Sequence, residues 1–75
     1  MTTADGIKKI IKDARAVKNS DRLNPELPLT AQGVDSLELV SIFLAIEETL
    51  NIKVSDEEMA GLHSIQDIVN FLNKK

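Results

Sequence analysis

The chain has no cysteine, tryptophan or tyrosine, and only two of its 75 residues are phenylalanine. Without thiols, neither a disulfide framework nor a thiolate zinc site can hold the fold together. We therefore expect its stability to come from the packing of helices. We also expect no metal site and no catalytic residue.

Long apolar runs are missing as well. The longest is far too short to span a bilayer, and the N-terminus MTTADGIKKIIKD has acids and lysines where a secretory signal needs an apolar block. We therefore expect no membrane span and a cytoplasmic protein. A chain of 75 residues with 43% apolar content predicts one domain over residues 1–75, with a single thin core. Such small domains are typically binding or carrier modules, here expected to be monomeric, rather than enzymes.

Charge is unevenly distributed along the chain, although the net charge is only −3. Residues 1–34 hold six bases and four acids, whereas residues 35–60 hold seven acids and one base, Lys53. A nucleic-acid partner would require the opposite charge and more stacking aromatics than Phe43 and Phe71 supply. We therefore expect no nucleic-acid partner.

Apolar residues recur at helical spacing in four segments, which predict helices at about 4–18, 35–50, 55–61 and 64–72. Pairs at capping-box spacing mark three helix starts. These pairs are Asp35 with Glu38, Ser55 with Glu58, and Ser64 with Asp67. The segment NIKV is too short and isolated to form a paired strand. The pattern predicts an all-α four-helix bundle.

A long loop is predicted between helices 1 and 2, in the segment NSDRLNPELPLTAQG. Its two prolines remove amide donors and fix backbone angles that do not suit a helix interior. Leu23, Leu27 and Leu29 are expected to anchor this loop to the core. We therefore expect an ordered loop, and a connection of this length without helix or strand is usually functional or a lid in so small a domain.

The second helix has two apolar faces on a helical wheel. Leu37 and Leu44 lie nearly opposite the broad stripe, beside Ser41 and Glu48, with Val40 at the border. Two exposed leucines on an acidic helix favour a partner surface, although isolated surface leucines are also common. The broad stripe, which should face the core, consists of Leu39, Ile42, Phe43, Ile46 and Leu50.

Ser36, in the motif GVDSL, has three possible interpretations. On spacing alone, a helix cap is favoured because serine and aspartate are both common there. A hydrolase nucleophile is disfavoured, since the motif is not G-x-S-x-G and the lone His63 has no sheet to hold a triad. A modified serine fits better than a nucleophile, because an exposed helix N-terminus offers backbone donors and a favourable electrostatic field to a phosphate ester.

The segment GVDSLELVSIFLAIEETLNIKVSDEEM resembles the acyl carrier proteins. In that family a G-x-D-S-L signature carries the prosthetic group, and the following helix ends in a segment like LEE. The resemblance runs from IKKIIKD through SIQDIVNFL. It implies that Ser36 carries 4'-phosphopantetheine, with Asp35 and Leu37 forming its recognition collar. It also implies a four-helix bundle of acyl carrier type with a long first loop and a short third helix.

The resemblance further implies what the protein carries and which enzymes it meets. The thiol of the arm carries acyl groups as thioesters in fatty acid or related lipid or polyketide biosynthesis, so the chain needs no cysteine of its own. A long acyl chain would lie among Phe43, Ile46, Ile65, Val69 and Leu72, residues that ordinary core packing explains equally well. The expected partners are a phosphopantetheinyl transferase and acyl-transferring, condensing or ligase enzymes with basic patches.

Contacts with several enzymes in turn should be electrostatically steered and quickly released. The predicted partner surface consists of Glu38, Val40, Ser41, Leu44, Glu47, Glu48, Asp56 and Glu57. For the acids of the third helix, a solvated face that also serves the helix dipole is an equal explanation.

The chain departs from the family pattern at several positions. Ser41 stands where many relatives have an acid, Leu39 and Phe43 make the second helix more apolar than usual, and the loop lacks acids just before Gly33. These departures indicate a specialised rather than a housekeeping carrier. A peptidyl, aryl or D-alanyl carrier remains an alternative, as does an unmodified helical adaptor.

Overall fold

The computed structural model describes residues 2–18 and 20–74. Its helices are α1 (Ala4–Ala14), α2 (Ser36–Leu50), α3 (Asp56–Ala60) and α4 (Ile65–Asn73). Within the described ranges there are four α-helices and no strand, which confirms the predicted all-α architecture with a short third helix. Asn19, the first residue of the predicted loop, lies outside the described residues.

The helix starts follow the predicted capping chemistry. All three predicted capping boxes are present, at Asp35–Glu38, Ser55–Glu58 and Ser64–Asp67. Each box gives a partner to two backbone amides that would otherwise lack one, which fixes where the helix begins. Gly61 follows the last residue of α3, as predicted.

The predicted first helix is four residues too long, because α1 ends at Ala14. Arg15 adopts a left-handed conformation with φ of 56°, and the Ala16 N–H donates to the carbonyl of Ile11 at 3.2 Å. This backbone arrangement closes the helix by giving partners to its last carbonyls. Val17 then leaves the helix and packs against the core from the loop.

The hydrophobic core lies where α1 packs against α2 and α4. Its largest fully buried side chains are Ile7, Ile11, Leu29, Ile42, Ile46, Ile65 and Ile68. Most of the predicted stripe of α2 is buried, but Leu39 is only half-buried. The prediction for Leu50 was wrong, since it is 37% exposed in the last turn of the helix.

Gln32 organises the long loop through its side-chain amide. Its Oε1 accepts the Asn24 N–H at 2.6 Å, and its Nε2 donates to the carbonyls of Asn24 at 3.0 Å and Leu27 at 3.1 Å. The loop also contains two 3₁₀ turns, Ser20–Arg22 and Thr30–Gln32. The loop is ordered, as predicted, and the Gln32 side chain connects its parts.

The same loop is attached to the start of α4. The Leu29 N–H donates to the His63 carbonyl at 2.8 Å, and the Pro25 carbonyl accepts the Gln66 N–H at 2.9 Å. Leu29 is fully buried and Leu23 is 5% exposed, as expected of anchors.

Leu27 was wrongly predicted to anchor the loop, because its side chain is 49% exposed. It lies between two prolines, and its carbonyl accepts from the Gln32 amide at 3.1 Å. Leu27 therefore contributes a backbone acceptor to the loop rather than a buried side chain.

Replacing Gln32 with alanine should destabilise the domain by about 1–3 kcal/mol, because several loop groups lose their hydrogen-bond partner. Urea unfolding would measure the loss, and faster hydrogen exchange of the Asn24 amide would localise it. Gln66→Ala is the matched control, since the Gln66 side chain makes one exposed bond, to Asn70 at 3.0 Å. Its effect should stay within about 0.5 kcal/mol. Equal losses in the two variants would contradict the role given to Gln32.

Candidate functional site

Gly33 directs the chain into the GVDSL motif. It ends the second 3₁₀ turn with φ of 90°, a left-handed conformation that favours glycine. A Cβ placed there would meet nothing within 4 Å, so the backbone angle rather than crowding requires glycine. Val34, the next residue, is buried, and its N–H donates to the Leu29 carbonyl at 3.2 Å. The motif is thus fixed to the core immediately before Asp35.

Asp35, not Ser36, caps α2. Its Oδ1 accepts the Glu38 N–H at 2.8 Å, and Glu38 Oε1 accepts the Asp35 N–H at 3.1 Å. The cap interpretation of Ser36 is therefore wrong, because the aspartate before it performs that role.

Ser36 is the exposed first residue of α2. In residues 2–18 and 20–74, no hydrogen bond to its hydroxyl is found. The serine oxygen is therefore accessible and is not needed to hold the helix start.

Three side chains form an apolar patch on the outer face of α2: Leu37, Val40 and Leu44. They are 79%, 55% and 51% exposed, respectively. Their spacing of three and four residues places them on one side of the helix, beginning next to Ser36. Ser41 is also exposed and follows Val40 directly, so this face of α2 has a small neutral side chain at position 41.

The predicted acids of the partner surface fall into two groups. Glu48, Asp56 and Glu57 are exposed. Glu38 and Glu47 are half-buried and accept backbone hydrogen bonds. Glu38 does so in the capping box, and Glu47 Oε2 accepts the Val54 N–H at 2.8 Å.

Glu47 therefore connects α2 to the chain that leads into α3. From the sequence, Glu47 and Glu48 look like two equivalent acids on one helix. The structure distinguishes them, because only the Glu47 carboxylate accepts the Val54 N–H. Charge reversal at these two positions should consequently have different effects on folding.

The residues expected to line an acyl chain all belong to the core. Phe43, Ile46, Ile65 and Val69 are buried, and Leu72 packs against them half-buried. Among the described residues, no group of three or more histidines and acids is arranged to hold a metal ion.

A family model described as "Phosphopantetheine attachment site" matches residues 5–72. The chain belongs to this phosphopantetheine-attachment family. It is 33% identical to an acyl carrier protein of Solidesulfovibrio magneticus, over 100% of this chain and 96% of the relative. It is 35% identical to that of Buchnera aphidicola, over 92% and 86%, and 34% identical to that of Campylobacter concisus, over 91% and 82%.

Membership of the phosphopantetheine-attachment family confirms the predicted resemblance, the carrier role and the covalent 4'-phosphopantetheine. The described residues fit such a group, because they include an exposed serine hydroxyl free of hydrogen bonds at a helix start. No helix in the described part of the chain is long and apolar enough to cross a membrane.

Proposed function

We propose that the chain is a non-catalytic, monomeric and cytoplasmic acyl carrier that bears 4'-phosphopantetheine on Ser36. The observation that carries the proposal is the Ser36 hydroxyl, which is exposed while Asp35 supplies the cap. When bound, the arm supplies a thiol that holds acyl groups as thioesters.

The neighbours of Ser36 have separate roles in this proposal. Asp35 holds the backbone so that the serine is the first residue of α2. Leu37, 79% exposed, offers an apolar contact to the phosphopantetheinyl transferase beside the hydroxyl that it modifies. Asp35 thus fixes the backbone at the serine, and Leu37 contacts the transferase. In the transfer, the Ser36 oxygen gives up its proton and bonds to the phosphorus that bears pantetheine in coenzyme A, while the bond to the second phosphate breaks and adenosine 3',5'-bisphosphate leaves.

The proposed docking surface consists of the apolar patch together with Ser41, Glu48, Asp56 and Glu57. Exposed acids attract basic patches on acyl-transferring, condensing or ligase enzymes, which raises the rate of encounter more than the final affinity. The patch then supplies a small apolar contact that can be released quickly. Glu38 and Glu47 add charge to this surface while holding the backbone.

Ser41 supports a specialised carrier. Its neutral side chain adjoins Val40 of the apolar patch, so a partner that fits this surface needs no cation opposite position 41. We propose service to one lipid or polyketide pathway rather than general fatty acid synthesis.

The test of the function is loading of the apo protein by a phosphopantetheinyl transferase with coenzyme A. Intact-mass measurement should show the addition of one arm, and the holo protein should then accept acyl groups in preference to aminoacyl or aryl groups. No added mass, together with equal partner binding by the untreated protein, would instead establish a helical adaptor. Preferred loading with aminoacyl or aryl groups would instead establish a peptidyl, aryl or D-alanyl carrier.

Glu48→Lys should slow association with an acyl-transferring enzyme about two- to tenfold at low salt, because it reverses an exposed steering charge. The difference should diminish as salt is added. Stopped-flow association rates would measure it. Glu47→Lys is the comparison variant, since it also removes the acceptor of the Val54 N–H. It should lower the free energy of unfolding by about 1–3 kcal/mol, whereas Glu48→Lys should not. Unchanged association rates in Glu48→Lys at low salt would refute the steering role.

A further inference from the structure

A cleft beside the GVDSL motif is lined by none of the three residues of the apolar patch. It has a volume of about 350 Å³ and is bounded by the segment after α1, the first 3₁₀ turn and the residues before α2. Its lining includes the buried side chains of Leu23 and Val34, the cations Lys18 and Arg22, and Gly33 and Glu38 from the motif and the start of α2. Two chain segments distant in sequence thus form one concave site.

Lys18 and Arg22 give this cleft its charge. Both are exposed, and among the described residues no ion pair or hydrogen bond to either side chain is found. Lys12, by contrast, pairs with Asp21 at 3.8 Å. Glu38, the acid in the cleft, already accepts the Asp35 N–H at 3.1 Å. The lining therefore holds two cations against the one carboxylate of Glu38, a balance that favours an anion.

Ser36 is close in sequence to residues that line this cleft. Val34 and Glu38, two residues before and two after it, both line the cleft. A phosphodiester on the serine carries a negative charge, which the carboxylates of Asp35 and Glu38 repel and the two cations attract. Glu38 lines the cleft and so opposes an anion there, but the two cations outnumber it.

We propose that the phosphodiester of the arm on Ser36 lies in this cleft, held by Lys18 and Arg22. The inference rests on the proposed function and adds to it a resting position for the arm, in a cleft that shares no lining residue with the apolar patch. A partner docked on the patch would then meet a surface that the arm does not cover. In solvent, such contacts are individually weak and are screened by salt, so the arm can leave the cleft when a partner takes up the thiol.

The experiment compares amide resonances of ¹⁵N-labelled apo and holo protein, with intact mass recorded on the same samples. Loading should shift the amides of Lys18, Arg22 and Gly33, and the shifts should shrink as ionic strength rises. In the double variant Lys18→Gln/Arg22→Gln, these shifts should fall at least threefold although the arm is still added. The double variant Lys8→Gln/Lys9→Gln removes the same charge from α1 and should keep the wild-type shifts.

The possible failures can be told apart. Without added mass, the proposed function and this inference both fall. If the arm is added but the shifts stay within residues 35–38, or persist in Lys18→Gln/Arg22→Gln, only the inference falls. If free coenzyme A shifts the cleft amides of the apo protein while the tethered arm does not, the cleft receives the incoming donor and the proposed resting position is overturned.

Discussion

Ser36→Ala is expected to abolish addition of the phosphopantetheine arm completely, because the variant lacks the oxygen that attacks the phosphate donor. Incubation with transferase and coenzyme A, followed by intact-mass measurement, should show no added mass at times when the wild type is fully modified. Ser41→Ala is the matched control, since Ser41 is an exposed serine on the same helix. It should still accept one arm, because it keeps the Ser36 oxygen and loses only a hydroxyl of the docking surface.

The loss in Ser36→Ala should be chemical rather than structural. Asp35 supplies the cap, and no hydrogen bond to the Ser36 hydroxyl is found in the described part of the chain. The free energy of unfolding should therefore change by no more than about 0.5 kcal/mol. Undiminished mass gain in Ser36→Ala would remove Ser36 as the attachment site, whereas a large loss of stability would show that the serine also holds the helix start.

The helix starts were predictable from short-range residue spacing. A capping box needs only an acid or a hydroxyl and an acid three positions later, and all three predicted boxes are present. The box spacing correctly placed the cap of α2 at Asp35, whereas the general preference for serine at helix caps wrongly favoured Ser36 as well. The Glu38 amide, 2.8 Å from Asp35 Oδ1, decides between them.

Features that depend on distant partners were not predictable in this way. Glu47 looks like a surface acid until its 2.8 Å bond to the Val54 N–H is seen. Gln32 gives no signal in a hydrophobic pattern, yet its amide holds the loop. The end of α1 was missed because Arg15, rather than glycine, takes the left-handed conformation. The bonded partners of Glu47 and Gln32 lie seven and eight residues away in sequence. The backbone conformation of Arg15 is unusual for a residue that is not glycine, so none of the three features follows from a local pattern.

Because α2 has a buried face and an exposed face, substitutions on the two faces should affect stability very differently. Ile46 is 1% exposed and belongs to the core, so Ile46→Ala should lower the free energy of unfolding by about 2–5 kcal/mol. A domain of this size has a total stability of only about 4–11 kcal/mol. Urea unfolding should therefore show the variant close to its limit of stability.

Leu44→Ala is the matched control, because it removes a similar side chain from the same helix where that side chain is 51% exposed. Its stability should fall by less than about 1 kcal/mol, since little apolar surface returns to water. Its cost should appear in enzyme turnover of the loaded carrier, where the apolar patch loses one of its three side chains. Ile46→Ala, loaded with a short acyl group and assayed at a temperature where it stays folded, should retain that turnover. The two substitutions lie only two positions apart, yet each should show its effect in a different assay. Together they test whether the inner face of α2 stabilises the fold while its outer face binds enzymes. Equal stability losses, or a turnover defect confined to Ile46→Ala, would contradict that division.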